Sequence, residues 1–426
     1  MKTDILVLGG GPAGLNAAIS VKKNFSEKEV LVVRKKEVEL FPPKIPYIFG
    51  TLKTFDEATI STSTAEKAGV KFLYSEAKKI DFKQKSVELE NGKIEYEKLI
   101  IAIGSSPIVP RIPGVDKEGV FVISKDIESL KIVLEYSKKV DRIVIVGGGF
   151  IGIELADELR KSGKEVVVIE ALDQILATAF DEDIAKSIEE KFSTEGITVK
   201  TNAIVKEILG DTKANGVELN NGERFEADMV ILSIGYKPNT ELVKDSEILI
   251  GHSGGIWVDD YMRTNVKDVF AVGDCAEHKD FFTGKHIRLM LLSIGSLDSK
   301  ILSENLYTLH PLRKKTGDLS AFTMTIEGMN LGAVGMNSKT AMKENFDFIT
   351  GIFRTNDEYL KLIFSKDDRV LLGAQVASKK SIGVVLNLLK NTVQNKTAME
   401  EILKIEVNEK TSSIFSAAKS AIEKIS

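Results

Sequence analysis

A chain of 426 residues, 43% hydrophobic, is long enough for roughly two to four domains, and a net charge of −4 with Lys and Glu interspersed argues against a nucleic-acid surface. No apolar run reaches the ~18 residues that a membrane helix needs, and a strand at the very N-terminus is expected to leave no room for a signal peptide. The single cysteine, Cys275, excludes an intramolecular disulfide and is a cytoplasmic pattern of usage. The chain opens on residues 4–8, a short apolar strand. Gly9, Gly11 and Gly14 follow at G-x-G-x-x-G spacing, with Pro12 and Ala13 between them. Residues 15–21 continue as an Ala-rich helix and residues 30–33 as a second strand. The three glycines suit a tight turn, close backbone approach to a pyrophosphate and close helix–strand packing. The helix start behind them leaves amide donors pointed at that phosphate.

The residue closing the second strand of such a unit is usually an acid that accepts from ribose hydroxyls. Here it is Arg34, followed by Lys35. Arg34 can donate to ribose oxygens, lie against an adenine, or simply be solvated. Pro42, Pro43 and Pro46 predict a stiff, extended segment with no thiol in it. Residues 86–90 and 94–96 flank Asn91-Gly92 as a hairpin. Residues 99–107 read as an apolar strand carrying Ala102 and Gly104, and Pro110 with Pro113-Gly114 reads as a crossover to a second unit.

That unit begins at Arg142 and repeats the opening pattern. A strand, then Gly147, Gly149, Phe150, Ile151 and Gly152, lead into a helix, a Gly163 turn and a strand that ends in Glu170. A carboxylate at that position binds a free ribose 2′-hydroxyl and repels a 2′-phosphate, so a preference for NADH over NADPH is expected. The plain alternative is a surface acid after a strand. Residues 228–235 form a strand ending at Gly235, and residues 268–276 carry Gly273-Asp274 at a strand's C-terminal end, the edge where open α/β sheets bind ligands.

Taken together, these motifs resemble the pyridine nucleotide-disulfide oxidoreductase superfamily, in particular its group of NADH oxidases, coenzyme A-disulfide reductases and rubredoxin reductases. GGGPAG resembles the family's FAD pyrophosphate loop, LIIAIGSSP its A-T-G strand, GGGFIGIELA its NADH loop and FAVGDCA its FAD ribitol motif, which implies a flavin contact for Asp274. Residues 289–307 resemble the helix whose N-terminus faces the flavin. The resemblance implies an α/β protein with two Rossmann-like units, FAD in residues 1–113 and 241–316, NADH in residues 114–240. It also implies a C-terminal α+β interface domain over residues 317–426 that forms a homodimer, with a monomer as the alternative.

The departures are informative. Pro43 stands where relatives carry a redox cysteine, and the family's acid at Arg34 is gone. Cys275 is expected to pack rather than react, so routes through a sulfenate or mixed disulfide lack a nucleophile. The resemblance also implies a lysine paired with the glutamate after the second glycine loop, beside the flavin. Here the pair is Lys44 (or Lys53) with Glu154, an exposed lysine being the alternative. His252, His278, His286 and His310 are scattered, so no metal site is expected, and His278 and His286 read as surface-loop residues. The expected function is an FAD-dependent NADH:acceptor oxidoreductase that passes electrons to a small redox protein such as rubredoxin. A peroxide-forming NADH oxidase and a silent nucleotide-binding scaffold are the alternatives.

Overall fold

The computed structural model describes residues 1–402, 419 and 422. Strand β1 (Lys2–Leu8), helix α1 (Pro12–Asn24) and strand β2 (Val30–Arg34) form the opening β-α-β unit. Strand β2 is VLVVR and every residue of it is buried, as expected for a parallel strand covered on both faces. β1 lies parallel between β2 and the strand Gly92–Ile101, in a seven-stranded sheet. Residues 94–96 and 99–101, read separately from the sequence, belong to that one ten-residue strand. Its first half pairs antiparallel with Ser86–Leu89. Its second half receives Val269–Ala271 in parallel, so the chain returns to its first sheet after building the second.

The second unit repeats this plan. Strand β3 (Arg142–Val146), helix α2 (Phe150–Lys161) and strand β4 (Glu165–Ile169) sit in a five-stranded, all-parallel sheet with Val120–Val122, Met229–Leu232 and Thr198–Lys200. The crossing between the units is made by Ser105–Pro107 and Tyr236–Pro238, paired antiparallel. Residues 289–307 contain helix α3 (Leu292–Asn305), which packs along α1.

The C-terminal part is a five-stranded antiparallel sheet backed by the helix Gly383–Gln394. Residues 361–378, whose pattern predicts a strand pair around Asp367-Asp368, cover most of Glu358–Ser365 and all of Leu371–Ser378, which pair antiparallel. The apolar pattern predicts helices over residues 398–405 and 414–425; the first is described as Met399–Ile402, and the second falls almost wholly outside the described residues. Residues 42–49 are not extended, contrary to expectation. They form two short 3-10 turns, Pro42–Lys44 and Pro46–Phe49. A proline φ near −65° suits such a turn as well as an extended chain, and burying Pro46, Ile48 and Phe49 decides between them.

Candidate cofactor-binding and active site

The two glycine loops are superposable in their chemistry. In the first, the Gly9 amide donates to the Val33 carbonyl at 2.8 Å. Gly9 has φ +111°, and a Cβ there would lie 2.1 Å from the Ala102 carbonyl oxygen. A Cβ on Gly14 would lie 2.1 Å from the Gly9 carbonyl oxygen, so both glycines are needed for packing. Gly11 differs: a Cβ there meets nothing within 4 Å. As N-cap of α1 it also supplies no side-chain cap, which leaves the first amides free for an anion.

The second loop matches at each step. The Gly147 amide donates to Ile169 at 2.8 Å. A Cβ on Gly147 (φ +113°) would come within 2.3 Å of the Ser233 carbonyl oxygen, and one on Gly152 within 2.0 Å of Gly147's. Gly149 is again open and uncapped. Phe150, the first residue of α2, stacks on Phe322 of the C-terminal sheet with centroids 4.6 Å apart, and Ile151 is part-buried beside it.

The loops part company at the residue after the second strand. Glu170 accepts from the Gly148 amide at 2.7 Å through one oxygen and from the Leu172 amide at 2.8 Å through the other. Arg34 stands at the same place in the first unit and is 2% exposed. Its Nε donates to the Lys36 carbonyl at 2.7 Å, while Nη1 and Nη2 are buried with no hydrogen-bond partner among the described residues. Arg34 is therefore not solvated. Lys35 turns away from the loop, exposed and paired with Glu76 at 2.6 Å.

Gly273 and α3 reach the first loop through Ala13. A Cβ on Gly273 or Gly295 would come within 2.6 or 3.1 Å of Ala13 Cβ, and Ser299 Oγ donates to the Ala13 carbonyl at 2.9 Å. Asp274 accepts from Ser105 Oγ and Lys125 Nζ, each at 2.7 Å. Lys125 went unnoticed in the sequence, because a lone lysine before the N-cap Asp126 carries no periodic or motif signal. Ala102 donates its amide to the Leu8 carbonyl, and Gly104 and Gly235 take left-handed φ values where their strands end. The face opposite the Pro-rich segment holds Glu154 on α2. Its partner is the Tyr47 hydroxyl at 3.4 Å, and burial pushes its carboxyl up to about 7, with Glu158 and Asp157 adding repulsion.

The expected lysine partner of Glu154 is not there. Lys44 is exposed and donates to the Glu57 carbonyl at 2.7 Å, and Lys53 is exposed too. The two 3-10 turns put Tyr47, not an ammonium, against α2. A second correction concerns His278, which is 3% exposed rather than on the surface. It lies 3.1 Å from Asp318 and 3.2 Å from the Gly273 carbonyl oxygen. His278, Asp298 and Asp318 come close enough together to resemble a metal cluster, but Lys315 Nζ occupies it, 2.5 Å from Asp298 and 2.8 Å from Asp318. Cys275 is fully buried, its thiol pushed up to about 12 by burial, and lies 3.4 Å from the Ile101 and Val272 carbonyl oxygens.

Both cradles fit a dinucleotide: open central glycines, uncapped helix starts and, in the first, buried donors with unused capacity. Comparison with known proteins agrees. The family described as pyridine nucleotide-disulphide oxidoreductase matches residues 3–294. An NAD(P)H coenzyme A polysulfide/persulfide reductase from Pyrococcus horikoshii is 32% identical over 396 residues, 88% of this chain and 87% of the relative. An NADH oxidase from Methanocaldococcus jannaschii is 28% identical over 423 residues, 94% of this chain and 93% of the relative. Among solved structures, an NAD-dependent persulfide reductase from A. fulgidus matches with a TM-score of 0.90 at 26% identity, over all of this chain and 84% of that one. With its paired Rossmann-type units and its match to both sequence and structure, the chain belongs to the pyridine nucleotide-disulphide oxidoreductase family, as an FAD-dependent NAD(P)H oxidoreductase.

Proposed function

We propose that this chain is an NADH:acceptor oxidoreductase that works without a thiol. FAD bound in the first unit would take a hydride from NADH and release electrons to a second acceptor, a small rubredoxin-like carrier protein. The carrying observation is the fate of sulfur. The Pro-rich segment where the family resemblance implies a redox cysteine carries Pro43 instead, and the chain's one thiol is sealed in the core beneath Gly273-Asp274.

The division of labour is proposed as follows. Gly9, Gly11, Pro12, Ala13 and Gly14 seat the FAD diphosphate, with Ala102, Gly104, Gly273 and Asp274 along its length. Gly147, Gly149, Phe150, Ile151 and Gly152 seat NADH, with Gly235 near the crossing and Glu170 holding the ribose. The boundaries would be residues 1–113 and 241–316 for the FAD unit, 114–240 for the NADH unit and 317–426 for the interface. The return of Val269–Ala271 to the first sheet supports that division. Desolvation raises the Glu154 carboxyl to about 7, so it gains and loses a proton close to neutral pH and would serve as a proton donor and acceptor beside the flavin. Lys44 has no part in that exchange. The start of α3 carries no side-chain cap, and the helix packs on the Gly273 turn, so its free amides would favour negative charge on a group bound beside them. Phe150 and Phe322, stacked on each other, would offer an apolar surface beside the bound nucleotide.

Oxygen as acceptor is the second reading, supported by relatives named NADH oxidase. Anaerobic titration with NADH, followed by candidate acceptors, separates the readings. Bleaching of the flavin and fast reoxidation by rubredoxin with little peroxide supports the carrier. Stoichiometric peroxide in air supports the oxidase, and flavin that NADH cannot bleach removes both. We also propose a cytoplasmic homodimer joined through the C-terminal sheet, where Ile352 on the outer strand and Val384 on the following helix are exposed. No helix among the described residues is long and apolar enough to cross a membrane. Sedimentation at the mass of one chain would refute the dimer.

A further inference from the structure

A buried guanidinium with two idle donors is an expensive thing to maintain. Leaving polar hydrogens of a buried group unpaired costs about 1–3 kcal/mol, and more when the group is charged. Arg34 is in that state. Its side chain lies under the loop's second glycine, where a Cβ on Gly10 would meet Arg34 Cδ at 2.3 Å. Its Cζ is 5.7 Å from the centroids of both Phe72 and Tyr74. No carboxylate among the described residues forms an ion pair with it, although Glu39 is close enough to feel its charge. Burial pushes Glu39's carboxyl up while Arg34 and Lys36 pull it down, so the acid is a weak counter-ion. The other basic residues nearby are spoken for: Lys35 pairs with Glu76, and Lys36 with Asp126.

The position makes the ligand class specific. Val33 and Ile169 each accept from the first glycine of their loop, so Arg34 and Glu170 are structural counterparts, one residue further on. In the second cradle that counterpart is an acceptor for hydroxyl groups. In the first it is a fork of N–H donors with no acceptor at all. We propose that Arg34 is the residue by which the first cradle recognises the adenosine-diphosphate half of its dinucleotide, offering Nη1 and Nη2 to ligand oxygens in place of a ribose-binding carboxylate. The ligand then supplies the anion and the acceptors that this arginine lacks, and the Phe72 and Tyr74 rings hold the guanidinium plane. The proposal rests on the reading of the first cradle as the FAD site.

The test uses the full chain, stripped of flavin and titrated with FAD while flavin fluorescence is followed, at low and moderate salt. Arg34→Gln should weaken FAD binding by ~10-fold or more and flatten its salt dependence, and Arg34→Lys should weaken it less while keeping that dependence. ADP should compete with FAD far better than adenosine on the wild-type chain, and this difference should shrink in Arg34→Gln. NADH binding at the second cradle should be unchanged in both variants. If Arg34→Gln binds FAD as tightly as wild type with the same salt dependence, the proposal is wrong although the FAD site stands. Should the glutamine variant fail to fold, the wild-type chain still decides: FAD affinity indifferent to salt, with adenosine competing as well as ADP, overturns it. A wild-type chain that takes up no FAD sinks the functional reading itself.

Discussion

The two nucleotide cradles share a backbone and differ in charge. Each closes its turn on a left-handed glycine pressed against the carbonyl of a neighbouring strand, and each leaves its middle glycine open before an uncapped helix. Beside these matching loops stand a buried cation, Arg34, and a hydrogen-bonded anion, Glu170. On the proposed reading, loop geometry would make the diphosphate seat, whereas a single residue at the end of the adjacent strand would set what else the ligand must offer. The former is a steric requirement and tolerates almost no change. The latter is electrostatic, and evolution or an experimenter can reset it.

The largest effect should come from breaking the shared geometry. Gly147→Ala places a methyl 2.3 Å from a backbone oxygen at φ +113°, and the loop must distort. NADH-dependent flavin bleaching should fall by ~100-fold or more, with the bound flavin's absorbance intact, since an unsuited residue at such a φ costs on the order of 1–3 kcal/mol before any clash. Wild-type bleaching rates in that variant would show that the second loop is not the NADH seat.

Next comes the place where the two units meet. Glu154 rides on the second cradle's helix but meets Tyr47 of the first unit. Its carboxyl is raised from 4.5 to about 7, so the folded state holds a proton that the unfolded chain has lost. That contribution is complete below the unfolded pKa and disappears as pH rises through about 7. In Glu154→Gln, stability relative to wild type should therefore rise between acid and mildly alkaline pH, by on the order of 3 kcal/mol if the whole shift is expressed. Denaturant titrations at several pH values measure this, and parallel curves for the two proteins would contradict it.

Charge reversal in the second cradle sharpens the electrostatic half of the comparison. Glu170→Arg should move the NADH/NADPH ratio of kcat/KM by roughly 10- to 100-fold toward NADPH. An unchanged ratio would mean that Glu170 braces the loop through Gly148 and Leu172 without touching ribose. The smallest effect is expected at Cys275. Because its thiol is sealed and protonated, Cys275→Ser should leave acceptor turnover within about twofold and cost on the order of 1 kcal/mol in stability. A collapse of turnover in a folded variant would return sulfur to the mechanism.

Much of this was legible from residue spacing. The glycine periods, the apolar strands before them and the repeat at Arg142 placed both cradles, because G-x-G-x-x-G is a local steric code read within one β-α-β unit. Asp274 was legible for the same reason, through the strand that delivers it. Lys125 was not, since it reaches Asp274 from far away in the chain and no local pattern marks it. Nor was the buried state of His278, which depends on Asp318 forty residues later. The expected Lys44–Glu154 pair failed for a related reason. Two prolines start two separate 3-10 turns, and which side chain then faces α2 is decided by burial of Ile48 and Phe49.

The sequence by itself determined that this chain folds as two nucleotide-binding β-α-β repeats, that they bear opposite charges at matching positions and that Cys275 is its one thiol, because each is a matter of residue identity at short range. Tertiary structure alone decided that Arg34 is buried with idle donors, that Glu154 faces a tyrosine and that Lys315 fills the nest of His278, Asp298 and Asp318. Each depends on which distant segments exclude water from a charged group, and desolvation is a property of the packed whole rather than of any stretch of chain.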